Sequence, residues 1–444
     1  MHEHSLTEGS VLKKLVIFAV PFLVANILQS LYGAVDLWII GKYCSAESVA
    51  AVSVGTQVTQ IITSLVTGLT LGSTILVGEY TGKRDYMLVE KTIATALTTF
   101  FIVALFLTIV MISFSESILR ILKTPAEAFS YASQYVIICS LGNIFICGYN
   151  AISAILRGYG DSRHPMIFVG IACVLNIVLD IVLVKYFLLN VCGTALATVI
   201  SQAISMIIAV IYLKKQNFLF DFRISSFRIA RDIVVRLAKI GIPISLQELA
   251  IRISFLYLTT VMNQCGVYAS AVVGISSKYD VFAMLAAVSM ANALTAVTAQ
   301  NEGAGQSERA RKSLWYALGI SLCIASVFWL WAQINPESMI RIFTDDKTII
   351  QAGTPFFRSC SYDYIMIAFV FCLNGYLNGK QKTLWTMASS CFGALLLRIP
   401  MVYLFSARFL DNLAMLGKIA PSVSGIMAIY TLIYVIYVGK KNVG

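Results

Sequence analysis

The run LVIFAVPFLVANILQSLYGAVDLWII, residues 15–40, contains a single carboxylate, Asp36. A helix rises about 1.5 Å per residue, so about 20 apolar residues cross a hydrocarbon core about 30 Å thick. This run is long enough to span a bilayer, and a backbone in lipid must pair its own polar groups, which favours a helix. No small-residue cleavage signal follows the run, so we expect a retained helix and not a signal peptide.

Similar runs recur along all 444 residues, of which 58% are hydrophobic and 12% charged. A soluble domain is about 25% charged, so this composition indicates a protein dissolved in lipid. The sequence predicts an all-α membrane protein with twelve transmembrane helices. Their approximate spans are 15–40, 48–77, 92–114, 131–154, 165–187, 192–213, 240–262, 268–299, 314–334, 355–376, 384–406 and 417–438.

The basic residues alternate between the loops. The loops on the amino-terminal side hold 21 Lys and Arg residues, and the opposite loops hold 8. The positive-inside rule therefore predicts a multi-pass protein of the cytoplasmic (inner) membrane with both termini in the cytoplasm. This distribution accounts for the net charge of +11 without nucleic acid, although segment 214–239 is the most basic.

The chain carries an internal repeat. Three landmark residues recur after 222, 223 and 221 residues, as the pairs Pro21 and Pro243, Gly82 and Gly305, and Gly158 and Gly379. We predict an amino lobe (1–213), a cytoplasmic linker (214–239) and a carboxyl lobe (240–444), each lobe with six helices. Because six is even, the lobes are parallel repeats related by a pseudo-two-fold axis along the membrane normal. Such a pair forms either an alternating-access carrier or a static scaffold.

Two acids lie deep in predicted helices. Asp36 comes six residues before Lys42, which places it about 9 Å below the outer rim, and Asp180 comes five residues before Lys185. A charge at this depth is costly and usually functional. Asn176 stacks one turn from Asp180.

Two further polar side chains, Tyr135 and Thr198, are predicted at the same depth as these acids. If all five converge, Asp36 and Asp180 can take up a proton, or they can coordinate sodium together with neutral oxygens. The alternative is a buried polar network without a transport role.

Other intramembrane residues are weaker candidates. The charged ones form either a polar wall of a substrate cleft or a mutually neutralised patch, and the methionines offer an adaptable apolar lining or simply face lipid. They are Glu248, Arg252, Lys278, Asp280, Met262, Met284 and Met290. Pro21 is a candidate bend in the first helix, and we expect Arg398 to bond carbonyls freed by Pro400. The ten cysteines form no CxxC motif or Cys/His cluster, so no metal site is expected.

Five motifs carry a resemblance. They are LYGAVDLWIIGKY, EYTGKRD, ILRGYGDSRHP, NIVLD and GTALAT, and with their spacing over nearly the whole chain they resemble the multidrug and toxic compound extrusion (MATE) family, in its bacterial and archaeal DinF-like branch. The resemblance implies two six-helix lobes in a V, and export of organic cations in exchange for protons or sodium. We expect small-molecule organic substrates and membrane lipids as partners, no nucleic acid, a monomer, and no cofactor besides the coupling ion. The family's amino-lobe site falls on Asp36, Tyr135, Asn176, Asp180 and Thr198.

The carboxyl lobe departs from the family pattern. Some members carry a Glu and an Asp there, but the nearest acids here, Glu248 and Asp363, lie about one turn earlier. The repeat mates of Asp36 and Asp180 are Leu258 and Met401. We therefore place ion coupling in the amino lobe.

Three alternative functions remain. A flippase for lipid-linked oligosaccharides needs a strongly cationic cleft, and a membrane enzyme needs a His, Cys or paired-acid constellation near an interface. The only histidines are His2, His4 and His164, so no catalytic residue is assigned. A passive channel would keep its flux without Asp36. No GxxxxGK[ST] loop appears, so ATP is not the evident energy source.

Overall fold

A computed structural model describes residues 5–216, 218–264, 266–408 and 412–441, and throughout these ranges it contains helices, turns and no strand. The first half holds α1 (Val11–Tyr43), α2 (Ala46–Gly82), α3 (Tyr86–Ile121), α4 (Ala126–Leu141), α5 (Asn143–Tyr159), α6 (Arg163–Asp180) and α7 (Asn190–Lys215). The second half holds α8 (Arg231–Gln264), α9 (Val267–Gly303), α10 (Ser307–Ile334), α11 (Pro336–Arg341), α12 (Lys347–Cys360), α13 (Tyr362–Gly379), α14 (Thr383–Cys391), α15 (Ile399–Arg408), α16 (Leu413–Gly417) and α17 (Ile419–Lys441). Two π-helical segments, Ile181–Tyr186 and Phe392–Arg398, continue α6 and α14.

Within the described residues, ten helical spans are long and apolar enough to cross a membrane, and the α4–α5 pair makes an eleventh. The remaining predicted span, 240–262, lies within α8. The fourth predicted helix, 131–154, is not straight: α4 and α5 meet at an angle of 49°. Between them lies Gly142, where an added Cβ would come within 2.4 Å of Val199. The bend therefore occurs where α7 packs too closely for any side chain.

The chain forms two compact units. The first comprises Ser5 with Val20–Ser245 and the second comprises Leu6–Ala19 with Leu246–Gly444. The divisions fall inside α1 and α8, next to Pro21 and Pro243. The lobe boundaries drawn from the sequence stay a prediction.

The predicted repeat is visible as one hydrogen bond present in both units. In the first unit, the Thr74 hydroxyl on α2 donates to the Ala154 carbonyl on α5 over 2.9 Å. In the second unit, the Thr295 hydroxyl on α9 donates to the Gly375 carbonyl on α13 over 3.0 Å. Both partners of the second bond lie 221 residues after those of the first. The duplicated sequence therefore packs its helices in the same way.

Basic residues at the helix ends have partners inside their own unit. In the first unit, Arg236 pairs with Glu79 at 2.6 Å and Lys91 with Asp232 at 2.9 Å. In the second, Arg309 donates to the carbonyl of Gly9 over 2.7 Å. These charges help to fasten the ends of α1 and α8.

Candidate functional site

The structure brings Asp36, Asn176 and Asp180 together inside the first unit. All three side chains are buried, and Asp180 is fully inaccessible at 0% exposure. The carboxyl group of Asp36 faces the carboxyl group of Asp180 and the amide of Asn176. Asp180 is the last residue of α6, and the π-helical segment Ile181–Tyr186 follows it directly. Such π segments are rare and often occur at functional sites.

The polar atoms of this trio are not satisfied by the described part of the protein. One oxygen of Asp36, both oxygens of Asp180 and both polar atoms of Asn176 are buried without a hydrogen-bond partner. Burying an unpaired carboxylate costs several kcal/mol, so two facing each other require a positive charge from elsewhere. Carboxylate and amide oxygens of this kind are able to accept a proton or to bind a small hard cation.

Tyr135 and Thr198, the other two predicted residues, lie at the margin. Tyr135 on α4 is buried near Asp36, but its hydroxyl lies 3.4 Å from that of Thr56. The Thr198 hydroxyl on α7 is buried and has no partner among the described residues. The hydroxyl that faces Asp180 belongs to Thr194, one turn earlier on the same helix. Sequence reasoning missed Thr194, although the motif GTALAT contains both threonines.

A small cavity adjoins the trio. Its volume is about 10 Å³, which is room for about one water molecule. Its lining includes Tyr32, one turn before Asp36, and Gln202, one turn after Thr198. Neither residue was predicted as part of the site. Each lies four residues from a predicted site residue, and residues at that spacing share a helix face. This spacing could have predicted both.

The second-unit candidates do not form one group. Asp280 and Met262 line a cavity of about 60 Å³. Glu248 instead faces Arg252, which is exposed. The remaining three lie apart from this cavity: Lys278 is exposed, Met284 is half-buried and Met290 is buried. Pro21, the candidate bend, lies inside the continuous helix α1.

The partners of Arg398 differ from those expected from the sequence. Its Nη1 donates to the Ser254 hydroxyl over 3.2 Å, and its guanidinium carbon lies 4.6 Å from the centre of the Phe255 ring. Nε has no partner among the described residues. Arg398 lines the same cavity as Asp280 and Asp363, so its electrostatic partners are side chains of that cavity. Among the residues that the structure describes, no group of three or more His, Cys, Asp or Glu side chains could hold a metal ion.

Comparisons with known proteins agree over most of the chain. The family model MatE matches residues 21–182 and 243–404. The probable multidrug resistance protein YpnP of Bacillus subtilis (strain 168) is 28% identical over 414 residues, covering 92% of this chain and 91% of that protein. The multidrug export protein MepA of Staphylococcus aureus (strain NCTC 8325 / PS 47) is 24% identical over 412 residues, covering 90% and 89%.

Solved structures share the fold. The structure described as MATE in the bent conformation has a TM-score of 0.92 at 22% identity and covers 100% of both chains. One described as the outward-facing conformation of a multidrug resistance MATE family transporter of the MOP superfamily has a TM-score of 0.89 at 22% identity, covering 98% of this chain and 97% of that one. The predicted all-α fold, with twelve membrane helices in two six-helix lobes, is confirmed by these likenesses.

Proposed function

The chain belongs to the MatE family, and on that premise we propose that it is a secondary antiporter that exports organic, mainly cationic amphiphilic, compounds in exchange for protons or sodium ions. The proposed coupling residues are Asp36, Tyr135, Asn176, Asp180 and Thr198, with Thr194 added on structural grounds. The protein acts as a transporter without an enzymatic step, and its partners are its cargo and the surrounding lipid.

One observation carries this proposal, namely the two buried carboxylates that face each other with three of their four oxygens unpaired among the described residues. Asp36 and Asp180 cannot both remain charged in a poorly solvated site unless a cation joins them. Occupation by a proton or sodium ion from outside removes that repulsion and changes how α1 packs against α6. We propose that this change lowers the affinity for cargo, which leaves outwards before the ion is released inside.

The proposed energy source is adequate. A membrane potential contributes about 2.3 kcal/mol per charge for each 100 mV. A proton gradient adds about 1.4 kcal/mol per pH unit. The charge asymmetry of the loops supports a protein of the cytoplasmic membrane with both termini inside, and the repeat supports lobes 1–213 and 240–444 joined by 214–239.

Asp280 and Met262 are the proposed cargo contacts in the second unit, because they combine a carboxylate with an adaptable apolar side chain. The alternative flippase for lipid-linked oligosaccharides would need a cationic cavity to hold phosphates. Around Asp280 the cavity holds two carboxylates and one guanidinium. This composition favours a cationic cargo and therefore the antiporter.

Everted membrane vesicles test the function. We expect vesicles with the protein to accumulate a fluorescent organic cation when either an inward-acid pH gradient or an inward-high sodium gradient is imposed at constant ionic strength. Collapse of the gradient with an ionophore should release the dye, and vesicles without the protein should show neither effect. Uptake that follows the dye's own gradient and ignores both ions would refute antiport.

Thr194→Val tests the added site residue. The Thr194 hydroxyl faces Asp180 and has no hydrogen-bond partner among the described residues, so it is a candidate neutral ligand of the coupling ion. Such an interaction with a charged group contributes about 1.5–3 kcal/mol. We therefore expect the coupling-ion concentration for half-maximal transport to rise at least about tenfold. Thr63→Val is the matched control, because the exposed Thr63 hydroxyl bonds only the Thr59 carbonyl, at 2.9 Å. Equal ion dependence in both variants would remove Thr194 from the site.

A further inference from the structure

The cavity of the second unit repeats the position of the coupling site in the first. The two MatE matches begin at residues 21 and 243 and end at 182 and 404, a spacing of 222 at both limits. Applied to four coupling-site residues, this spacing leads to four residues that all line the second-unit cavity. The pairs are Asp36 with Leu258, Asn176 with Arg398, Thr194 with Leu416, and Thr198 with Ala420. The same spacing takes Tyr135 to Phe357 and Asp180 to Val402, one residue after Met401, and neither of these lines the cavity.

The chemistry at these repeated positions is different. A carboxylate and two hydroxyls are replaced by apolar side chains at these positions. The hydroxyls that line the second cavity, those of Thr259, Ser276 and Ser277, come from other positions in the repeat. The amide of Asn176 is replaced by the guanidinium of Arg398. The acids of the second cavity, Asp280 on α9 and Asp363 on α13, come from other positions in the repeat.

Arg398 is deeply buried with one of these acids. Arg398 and Asp363 are each 4% exposed, and Arg398 exerts its charge on Asp363. Asp280 in turn is close to Asp363 and to the side chains of Tyr364 and Ser276. A guanidinium is always charged, and burying it is tolerated only with compensating negative charge.

The orientation of Arg398 is fixed by its surroundings. Its hydrogen bond to Ser254 and its stacking on Phe255 hold the guanidinium within the cavity. Nε of Arg398 and Oδ1 of Asp363 are buried without partners among the described residues. Two acids and one arginine therefore share a cavity with unused polar atoms.

We infer that the guanidinium of Arg398 is the resident, tethered cation of this cavity, in place of an exchangeable ion. Asp363 is then neutralised by a side chain that cannot dissociate. If the protein is the proposed antiporter, each chain then has a single site for an exchangeable ion. Only this consequence for transport rests on the proposed function. The physical content of the inference is that removing the guanidinium opens a site for a free monovalent cation.

The test is thermal stability in detergent, measured in an Asp36→Asn, Asp180→Asn background so that the first-unit site cannot respond. The parent should have the same Tm in sodium chloride and in choline chloride of equal concentration. Arg398→Ala should lower the Tm, and millimolar guanidinium or about 150 mM sodium should raise it again by at least about 3 °C. Guanidinium and sodium are separate arms, because the first tests replacement of the side chain and the second tests a metal cation.

Three controls complete the design. Arg398→Lys keeps a tethered charge and should remain insensitive to both ions. Adding Asp363→Asn to Arg398→Ala removes the unpaired acid, so this variant should be more stable than Arg398→Ala and should respond to neither ion. If Arg398→Ala is not monodisperse alone, purification with millimolar guanidinium should recover it, and failure of that recovery would contradict the inference.

Two further results would overturn the inference. A parent that is stabilised by sodium and loses that response on Asp363→Asn already has an exchangeable ion in the cavity. A folded Arg398→Ala variant that ignores both cations has no site to open. Neither result depends on transport, so both are distinguishable from failure of the vesicle experiment.

Discussion

Asp180→Asn should abolish gradient-driven efflux, with a fall in the initial rate of at least about tenfold, and Asp36→Asn should do the same. Each substitution keeps the shape of the side chain and removes one of the two facing carboxylates. The repulsion between the two acids is what makes the site take up a cation. With one acid removed, that repulsion is lost, so cation binding and release no longer follow the ion gradient. The pair acts as one unit, so the double variant should be no worse than either single variant.

Stability separates this expectation from a structural role. Removing a buried carboxylate that has no partner relieves an electrostatic cost, so the Tm of both variants should equal or exceed that of the native protein. The matched control is Asp345→Asn, which alters an exposed acid on a loop and should leave efflux unchanged. Native rates in both single variants, under proton and sodium gradients alike, would show that coupling resides elsewhere.

Helix geometry made the trio of Asp36, Asn176 and Asp180 predictable from the sequence. The rise per residue gives the depth of a side chain below the nearest charged loop residue, and a spacing of four places Asn176 beside Asp180. Depth says nothing about lateral position. Thr198 and Thr194 lie on one face of α7, and only the packing of α6 against α7 determines which hydroxyl approaches Asp180.

Tertiary packing also explains what the sequence did not predict. The bend between α4 and α5 occurs at Gly142, where Val199 of another helix occupies the space of a Cβ. Arg398 was expected to bond local carbonyls beside Pro400. Instead it reaches Ser254, which lies 144 residues away in the sequence. Local sequence propensity cannot predict a contact between residues so far apart in the sequence. Composition, span lengths and internal repeats, in contrast, are visible in the sequence itself.

Gly158→Val and Gly379→Val should each prevent recovery of folded protein. An added Cβ at Gly158 would lie 2.6 Å from the Thr74 carbonyl oxygen, and one at Gly379 would lie 2.5 Å from the Thr298 Cβ. Small residues at such contacts let membrane helices approach backbone to backbone. Valine adds two further methyl groups, and overpacking a tight contact costs about 1–3 kcal/mol or more. Because the two positions are repeat mates, similar losses are expected in both units.

Fluorescence-detected size exclusion after mild detergent extraction measures the effect as loss of the monodisperse peak. Gly319→Ala is the control, because that glycine is exposed on α10 and nothing lies within 4 Å of an added Cβ. Alanine there should leave the peak unchanged and raise the Tm slightly, since glycine inside a helix costs about 0.5–1 kcal/mol relative to alanine. A monodisperse Gly158→Val protein with native Tm would mean that α2 and α5 can separate without cost. The shared Thr74 and Thr295 hydrogen bonds would then not define the packing of the repeat.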